Sequence, residues 1–180
     1  MNKFIISLSV MALCVIPVSA DDISLGYCDG NNVESPITAE SVAICIPAEE
    51  FPMYAETKIA GVRIGLMSDA AKGVRVFLRN SPEGADILSF HTGVLYQGWN
   101  DISFDSPVDW PEGDVYAGYE LPSGLKAGMS HVGPLVCVPG SCWTAEGGIW
   151  KDRSAEGCQP LCIQLLVDGD SYEKSDVALI

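Results

Sequence analysis

Short runs in which every second residue is apolar recur along most of this chain, and such a run buries one clean face only when it is extended. From Ala60 to Met67, Val62, Ile64 and Leu66 fall on one side, with Arg63 and Gly65 on the other. Val74, Val76 and Leu78 repeat the pattern against Arg75 and Arg79. Ile102 with Phe104, then Val115, Ala117, Tyr119 and Leu121, then Leu161, Ile163, Leu165 and Val167 supply further inward rows. Helical spacing is scarce. Between the runs stand turn formers: Ser81-Pro82-Glu83-Gly84, Trp110-Pro111-Glu112-Gly113, Leu121-Pro122-Ser123-Gly124 and Pro139-Gly140. Many short strands at regular spacing predict an all-β sandwich or barrel. The likeness of Gly61-Val62-Arg63 to Gly73-Val74-Arg75 extends over only a few residues, as two adjacent strands show without any internal repeat.

The first twenty residues are of a different kind. Lys3 precedes an apolar run from Phe4 to Ile16, and Val18-Ser19-Ala20 supplies a small-residue cleavage site, which together predict a secretory signal removed at Ala20. The run is short of the roughly 20 apolar residues a spanning helix needs, and no second such run follows. Lipid attachment at Cys14 would want a small residue before it, and Leu13 stands there. The expected mature protein is one domain, residues 21–170, secreted or held in the periplasm or at the cell surface. Residues 171–180 form a tail that ends on strand-like Asp176-Val177-Ala178-Leu179-Ile180, expected to dock as a last strand or to begin a following segment of a longer surface protein.

Charge narrows the partners. The chain carries 24 acidic and 10 basic residues, a net charge of -14 that becomes -15 once the signal takes Lys3 with it (-14 minus 1). Such a surface repels phosphate backbones, so nucleic acid is not an expected partner. Surplus carboxylate keeps an exported protein soluble and separate, and a monomer is expected.

Of the seven cysteines, Cys14 leaves with the signal, and an oxidising compartment makes crosslinks of the other six. Cys137 and Cys142 flank Val138-Pro139-Gly140-Ser141, where a type II turn with glycine at its positive-φ corner brings two sulfurs together. Cys45 lies opposite the Ile44 and Ile46 face, and Cys162 opposite the Leu161 and Ile163 face. If those two strands are neighbours in one sheet, Cys45–Cys162 pair on its outer surface and Cys28–Cys158 remain. The alternative is zinc held by the C-x4-C and C-x3-C pairs, for which an exported chain is the wrong setting.

Catalytic residues are thin. His91 and His131 are the neutral-pH bases, and Gly128-Met129-Ser130-His131-Val132 departs from a nucleophile elbow because Val132 stands where G-x-S-x-G needs glycine. Paired carboxylates of a glycosidase are not readable from sequence. No enzyme activity and no cofactor are expected. Calcium has candidate oxygen ligands in Asp29-Gly30-Asn31-Asn32 and in Asp168-Gly169-Asp170 with Glu173, although neither has EF-hand spacing and both compositions suit ordinary turns. Trp143 and Trp150, flanking Thr144-Ala145-Glu146-Gly147-Gly148, and Trp110 are the candidate binding residues, because flat aromatic faces on loops stack on sugars or grip proteins. Tyr116 and Tyr119 join the tryptophans as candidate aromatics, while Trp99, at a strand start, reads as packing.

Gly26-Tyr27-Cys28-Asp29-Gly30, Gly98-Trp99-Asn100-Asp101-Ile102-Ser103-Phe104, Val115-Tyr116-Ala117-Gly118-Tyr119 and Gly148-Ile149-Trp150-Lys151-Asp152, before a closing Ile163 to Asp170 strand, resemble a jelly-roll domain of secreted and surface proteins of Bacteroides-type anaerobes. That domain is similar to the cleaved-adhesin domains of gingipain-type proteases and to segments appended to streptopain-family peptidases. The resemblance spans nearly all of residues 21–170 and implies an antiparallel two-sheet jelly-roll β-sandwich serving as an accessory or adhesion module without catalytic residues. Cys137, Cys142, Cys158 and Cys162 depart from its usual pattern. The expectation is a noncatalytic module binding extracellular protein or glycan, with a carbohydrate-binding module on an aromatic platform as alternative and a small hydrolase behind both.

Overall fold

The computed structural model describes residues 22–28, 30–68, 71–130 and 138–170. Among them the chain forms fourteen strands: β1 (Ile23–Gly26), β2 (Ser35–Ile37), β3 (Ser41–Ile46), β4 (Lys58–Leu66), β5 (Ala71–Lys72), β6 (Arg75–Arg79), β7 (Asp86–His91), β8 (Val94–Leu95), β9 (Gly98–Asp109), β10 (Val115–Glu120), β11 (Ala127–Met129), β12 (Trp143–Glu146), β13 (Ile149–Asp152) and β14 (Ile163–Val167). The alternating runs are therefore strands, and every pairing is antiparallel. No helix of the described residues is long and apolar enough to cross a membrane. Residues 1–21, where a signal is expected, Asp29, His131, Cys137, Glu173 and residues 171–180 lie outside the described residues.

Two six-stranded sheets carry the fold. Sheet A runs β1-β14-β4-β11-β2, with β9 also on β4; sheet B runs β13-β12-β3-β10-β6-β7; β5 and β8 form a separate two-stranded ribbon. From β2 to β4 and again from β9 to β12, the chain changes sheet at every strand, so neighbours within a sheet are seldom neighbours in sequence. The core lies between the sheets. Val42, Ile44 and Ile46 of β3, Val76 and Leu78 of β6, and Val115, Ala117 and Tyr119 of β10 meet Val62, Ile64 and Leu66 of β4 and Ile163, Leu165 and Val167 of β14. Burying these branched and aromatic side chains supplies about 1.5–3 kcal/mol each.

The expected turns close the strands. Gly84 N–H donates to Ser81 O (3.1 Å), Leu125 N–H to Pro122 O (2.9 Å) and Ser141 N–H to Val138 O (3.1 Å). In the last, Gly140 sits at φ +84°, the corner that the Pro-Gly pair predicts. One expectation is too simple. Alternation predicts strands with one wet face, yet β10 is buried on both faces from Val115 to Tyr119, as are β3 from Val42 to Ile46 and β14 throughout. Each sheet has something lying on its outside, and on sheet B that covering is the candidate site.

Candidate functional site

Cross-strand registers align the outward residues of sheet B into rows. Asp152 lies opposite Trp143, Trp143 opposite Ala43, Ala43 opposite Gly118, Gly118 opposite Phe77, and Phe77 opposite Ser89. A parallel row takes Trp150, Ala145, Ser41 and Glu120. On the other side run Cys45, Tyr116, Arg79 and Asp86. Ala43, Ala145 and Gly118 make a low floor on which large rings lie down.

The Phe77 ring occupies the space above Gly118: a Cβ there would stand 2.6 Å from Phe77 Cζ and 2.7 Å from Ala43 Cβ. Phe77 meets Trp150 edge to face, centroids 5.9 Å apart at 81°, and Tyr116 meets Trp143 likewise at 5.5 Å and 78°. Both geometries place a ring's positive edge on a negative face. Phe77 is 1% exposed although it points away from the core, and Tyr116 is buried beside it, whereas Trp143 and Trp150 are half-buried and meet solvent. The Trp143 indole N–H is enclosed without a hydrogen-bond partner among the described residues.

A charged lattice borders the rings. The Arg79 guanidinium lies 4.0 Å from the Phe77 centroid and donates from Nε to Asp86 (2.6 Å) and from a terminal nitrogen to Pro82 O (2.9 Å). Arg75 bridges Asp86 and Glu120, the latter at 2.5 Å. Burial works to raise the Asp86 pKa, but hydrogen bonds from Arg79 and Ser89 and the charges of Arg79 and Arg75 outweigh it, so the carboxyl titrates below its ordinary value. Where this lattice reaches the end of the Trp150 row, a cleft of about 350 Å³ opens between Ser41, Arg75, Glu120, Glu40, Gly73 and Pro122. Ser41 is two strand spacings from Trp150, about 10 Å. A flat ring and a polar cleft thus share one row.

Trp143 and Trp150 come together on this face as a pair; Trp110 is elsewhere. It is 8% exposed, stacks on Tyr54 (5.7 Å, 26°), and its backbone N–H donates to Thr57 O, so it closes an end of the core and offers no surface. Tyr119 is wholly buried, with its hydroxyl 3.4 Å from Gly65 O. Trp99 lies under the Arg63 guanidinium, 4.9 Å away, on the outside of sheet A. His91 lines a second cleft, of about 490 Å³, with Leu88, Phe90, Phe104, Ser103 and Asp105; among the described residues no hydrogen bond joins it to a serine or carboxylate. Around Asn31, Asn32, Asp168 and Asp170, as elsewhere among the described residues, no three His, Cys, Asp or Glu side chains converge as a metal site would require.

One expected cysteine pairing loses its premise, and Cys137 of the Cys137–Cys142 pair falls outside the described residues. Cys45 is on β3 in sheet B and Cys162 immediately precedes β14 in sheet A, so the two strands are not neighbours in one sheet and the parity argument for Cys45–Cys162 fails. Burial first, eased by a hydrogen bond with Tyr116, pushes the Cys45 thiol up to about 11. The Cys158 thiol meets Cys142 and stands 3.5 Å from Met129 Sδ, while the Cys28 carbonyl accepts from Gln164 Nε2 at 3.0 Å, on the ladder between β1 and β14. Phe77, Arg75, Arg79 and Glu120 were not singled out from sequence as binding residues. One signal was present: Phe77 is a large apolar residue on the wet parity of its strand, between two arginines.

The chain matches no protein-family model, no curated protein and no solved structure.

Proposed function

We propose that this protein is an exported, noncatalytic adhesion module, a jelly-roll β-sandwich of the kind it resembles, that binds glycan through the outer face of sheet B. One observation carries the reading: Trp143 and Trp150 are half-exposed and held edge to face by Tyr116 and Phe77, on a face the hydrophobic core does not need. Rings fixed in this way lose little freedom on binding, and a sugar's C–H face stacks on them. The cleft beside Ser41, Glu120 and Arg75 supports a glycan over an apolar protein partner, because hydroxyl groups find donors and acceptors there. The frequent changes of sheet suit a jelly roll, and the acidic surface suits life outside the cell.

The test is a glycan array read with the wild-type chain and with Trp143→Ala and Trp150→Ala. Specific glycan signals that fall at least tenfold in either variant, with unchanged strand content by circular dichroism, support the proposal. Absence of any glycan signal, together with tryptophan-dependent binding to surface proteins, replaces sugar with protein as the ligand. Hydrolysis of a bound substrate removes the noncatalytic claim.

A further inference from the structure

We propose that Cys142 and Cys158 are joined by a disulfide in the exported protein, an inference that rests on the export reading for its oxidising setting. Cys142 is wholly buried at the entrance to β12. Its carbonyl accepts from Arg153 N–H (2.7 Å), the Arg153 carbonyl accepts in turn from Cys158 N–H (3.2 Å), and Leu161 N–H returns to Ser141 O (3.0 Å). The segment from 153 to 161 is thereby folded back on the strand entrance, with a short 3₁₀ turn at Ser154–Glu156 and Gly157 at φ +80° making the reversal. Cys158 packs against the core cluster that holds Cys142, and each thiol is the foremost influence on the other's titration. No carboxylate or imidazole joins them in a metal-sized cluster among the described residues.

The half-exposed partner is the entry point. The hydrogen bond from Cys142 and then the Arg153 charge favour the Cys158 thiolate, and that same bond, with burial, holds Cys142 protonated. In thiol–disulfide exchange with an external disulfide, such as that of a dithiol oxidoreductase or oxidised glutathione, the Cys158 thiolate attacks and expels one thiolate. Cys142 then gives up its proton and attacks the Cys158 sulfur, expelling the second. The protein loses two electrons and two protons, and the external disulfide becomes two thiols. The bond ties the start of β12 in sheet B to the segment that enters β14 in sheet A.

The experiment alkylates the full chain, purified from an export host, under denaturing non-reducing conditions and maps labels on tryptic peptides. In wild type, neither Cys142 nor Cys158 should take label. Cys142→Ser should expose one new thiol, on Cys158 in the peptide from Ser154 to Lys174; Cys158→Ser should expose Cys142 in the peptide from Ala127 to Lys151. Label on Cys137 in the first variant, on Cys28 in the second, or on both cysteines of wild type overturns the bridge. If the substituted chains fail to accumulate, fragmentation of the linked peptide pair in wild type decides alone: because the two peptides also hold Cys137 and Cys162, fragments that place the link on Cys142 and Cys158 support the bridge, and a link on Cys137 or Cys162, or no linked pair, overturns it. Intact mass separates the two readings. A chain cleaved after Ala20 with both thiols labelled sinks the bridge and leaves export standing. An uncleaved chain that links Cys142 to Cys158 in oxidised glutathione keeps the bridge and sinks export.

Discussion

The outer faces of the two sheets are both covered, by opposite means. On sheet A the covering is chain: Val33 lies against Gly65 and Gly128, where no Cβ would fit, and Gly30 lies over Gln164 and Arg63. On sheet B the covering is side chain, with Phe77, Tyr116, Trp143 and Trp150 laid over Ala43, Gly118 and Ala145. A strap of backbone satisfies its own hydrogen bonds and closes the surface to partners. A layer of rings buries the sheet equally well and leaves aromatic faces pointing at solvent, which is why sheet B and not sheet A carries the proposed ligand face.

Glycine substitutions break this comparison most severely. Gly118→Ala directs a Cβ into the Val42 carbonyl oxygen as well as Phe77, and strand backbone cannot yield, so a loss of about 3 kcal/mol or more is expected in urea unfolding. Gly128→Ala meets chiefly a Val33 methyl, which can shift with its strap, and should lose about 1–2 kcal/mol. Equal losses would mean that the two coverings are equally rigid. Next, Phe77→Ala should behave as a core truncation despite facing outward, costing about 3 kcal/mol, and should loosen Trp150, seen as a red shift of tryptophan emission. A loss below about 1 kcal/mol would show that the rings rest on the sheet without stabilising it.

Asp86→Asn is the mildest. It leaves Arg75 and Arg79 short of a carboxylate, and about 1–2 kcal/mol is expected once the partial exposure of this cluster is allowed for. Because the folded state depresses the Asp86 pKa, its contribution is fully present above the ordinary value of 3.8 and disappears as pH falls through the lower folded value. Acid titration of stability should therefore be flatter in Asp86→Asn than in wild type below that pH. Parallel curves would remove Asp86 from the acid response.

Much of the interior was legible in the chain. Val62-Ile64-Leu66, Val115-Ala117-Tyr119 and Ile163-Leu165-Val167 each alternate cleanly and each points inward. The outer layers were harder because alternation reports one buried face and is silent on what settles over the other. Phe77 shows the limit: it interrupts a run of arginines on the wet parity, yet nothing local says that Gly118, forty-one residues later (118 minus 77), leaves the hollow it fills. Trp143 and Trp150 were readable as a pair because a four-residue hairpin strand holds each, while Trp110 was misjudged because its neighbour Tyr54 comes from a distant turn. The Cys45–Cys162 pairing failed for a related reason. Parity assigns each sulfur a face, but only the sheet order says which strands share it, and a chain that keeps changing sheets hides that order.

Gly118 has a further consequence for how such a face can diversify. Phe77 rests on that bare stretch of backbone and Trp150 rests on Phe77, like courses of masonry, so the lower two members are fixed by the requirement to fold. Only the uppermost course, Trp150 and Trp143 with the polar rim around Ser41, is at liberty to vary. A lineage carrying this architecture can change the character of that face by exchanging a handful of rim side chains, while the footing beneath them stays as it is.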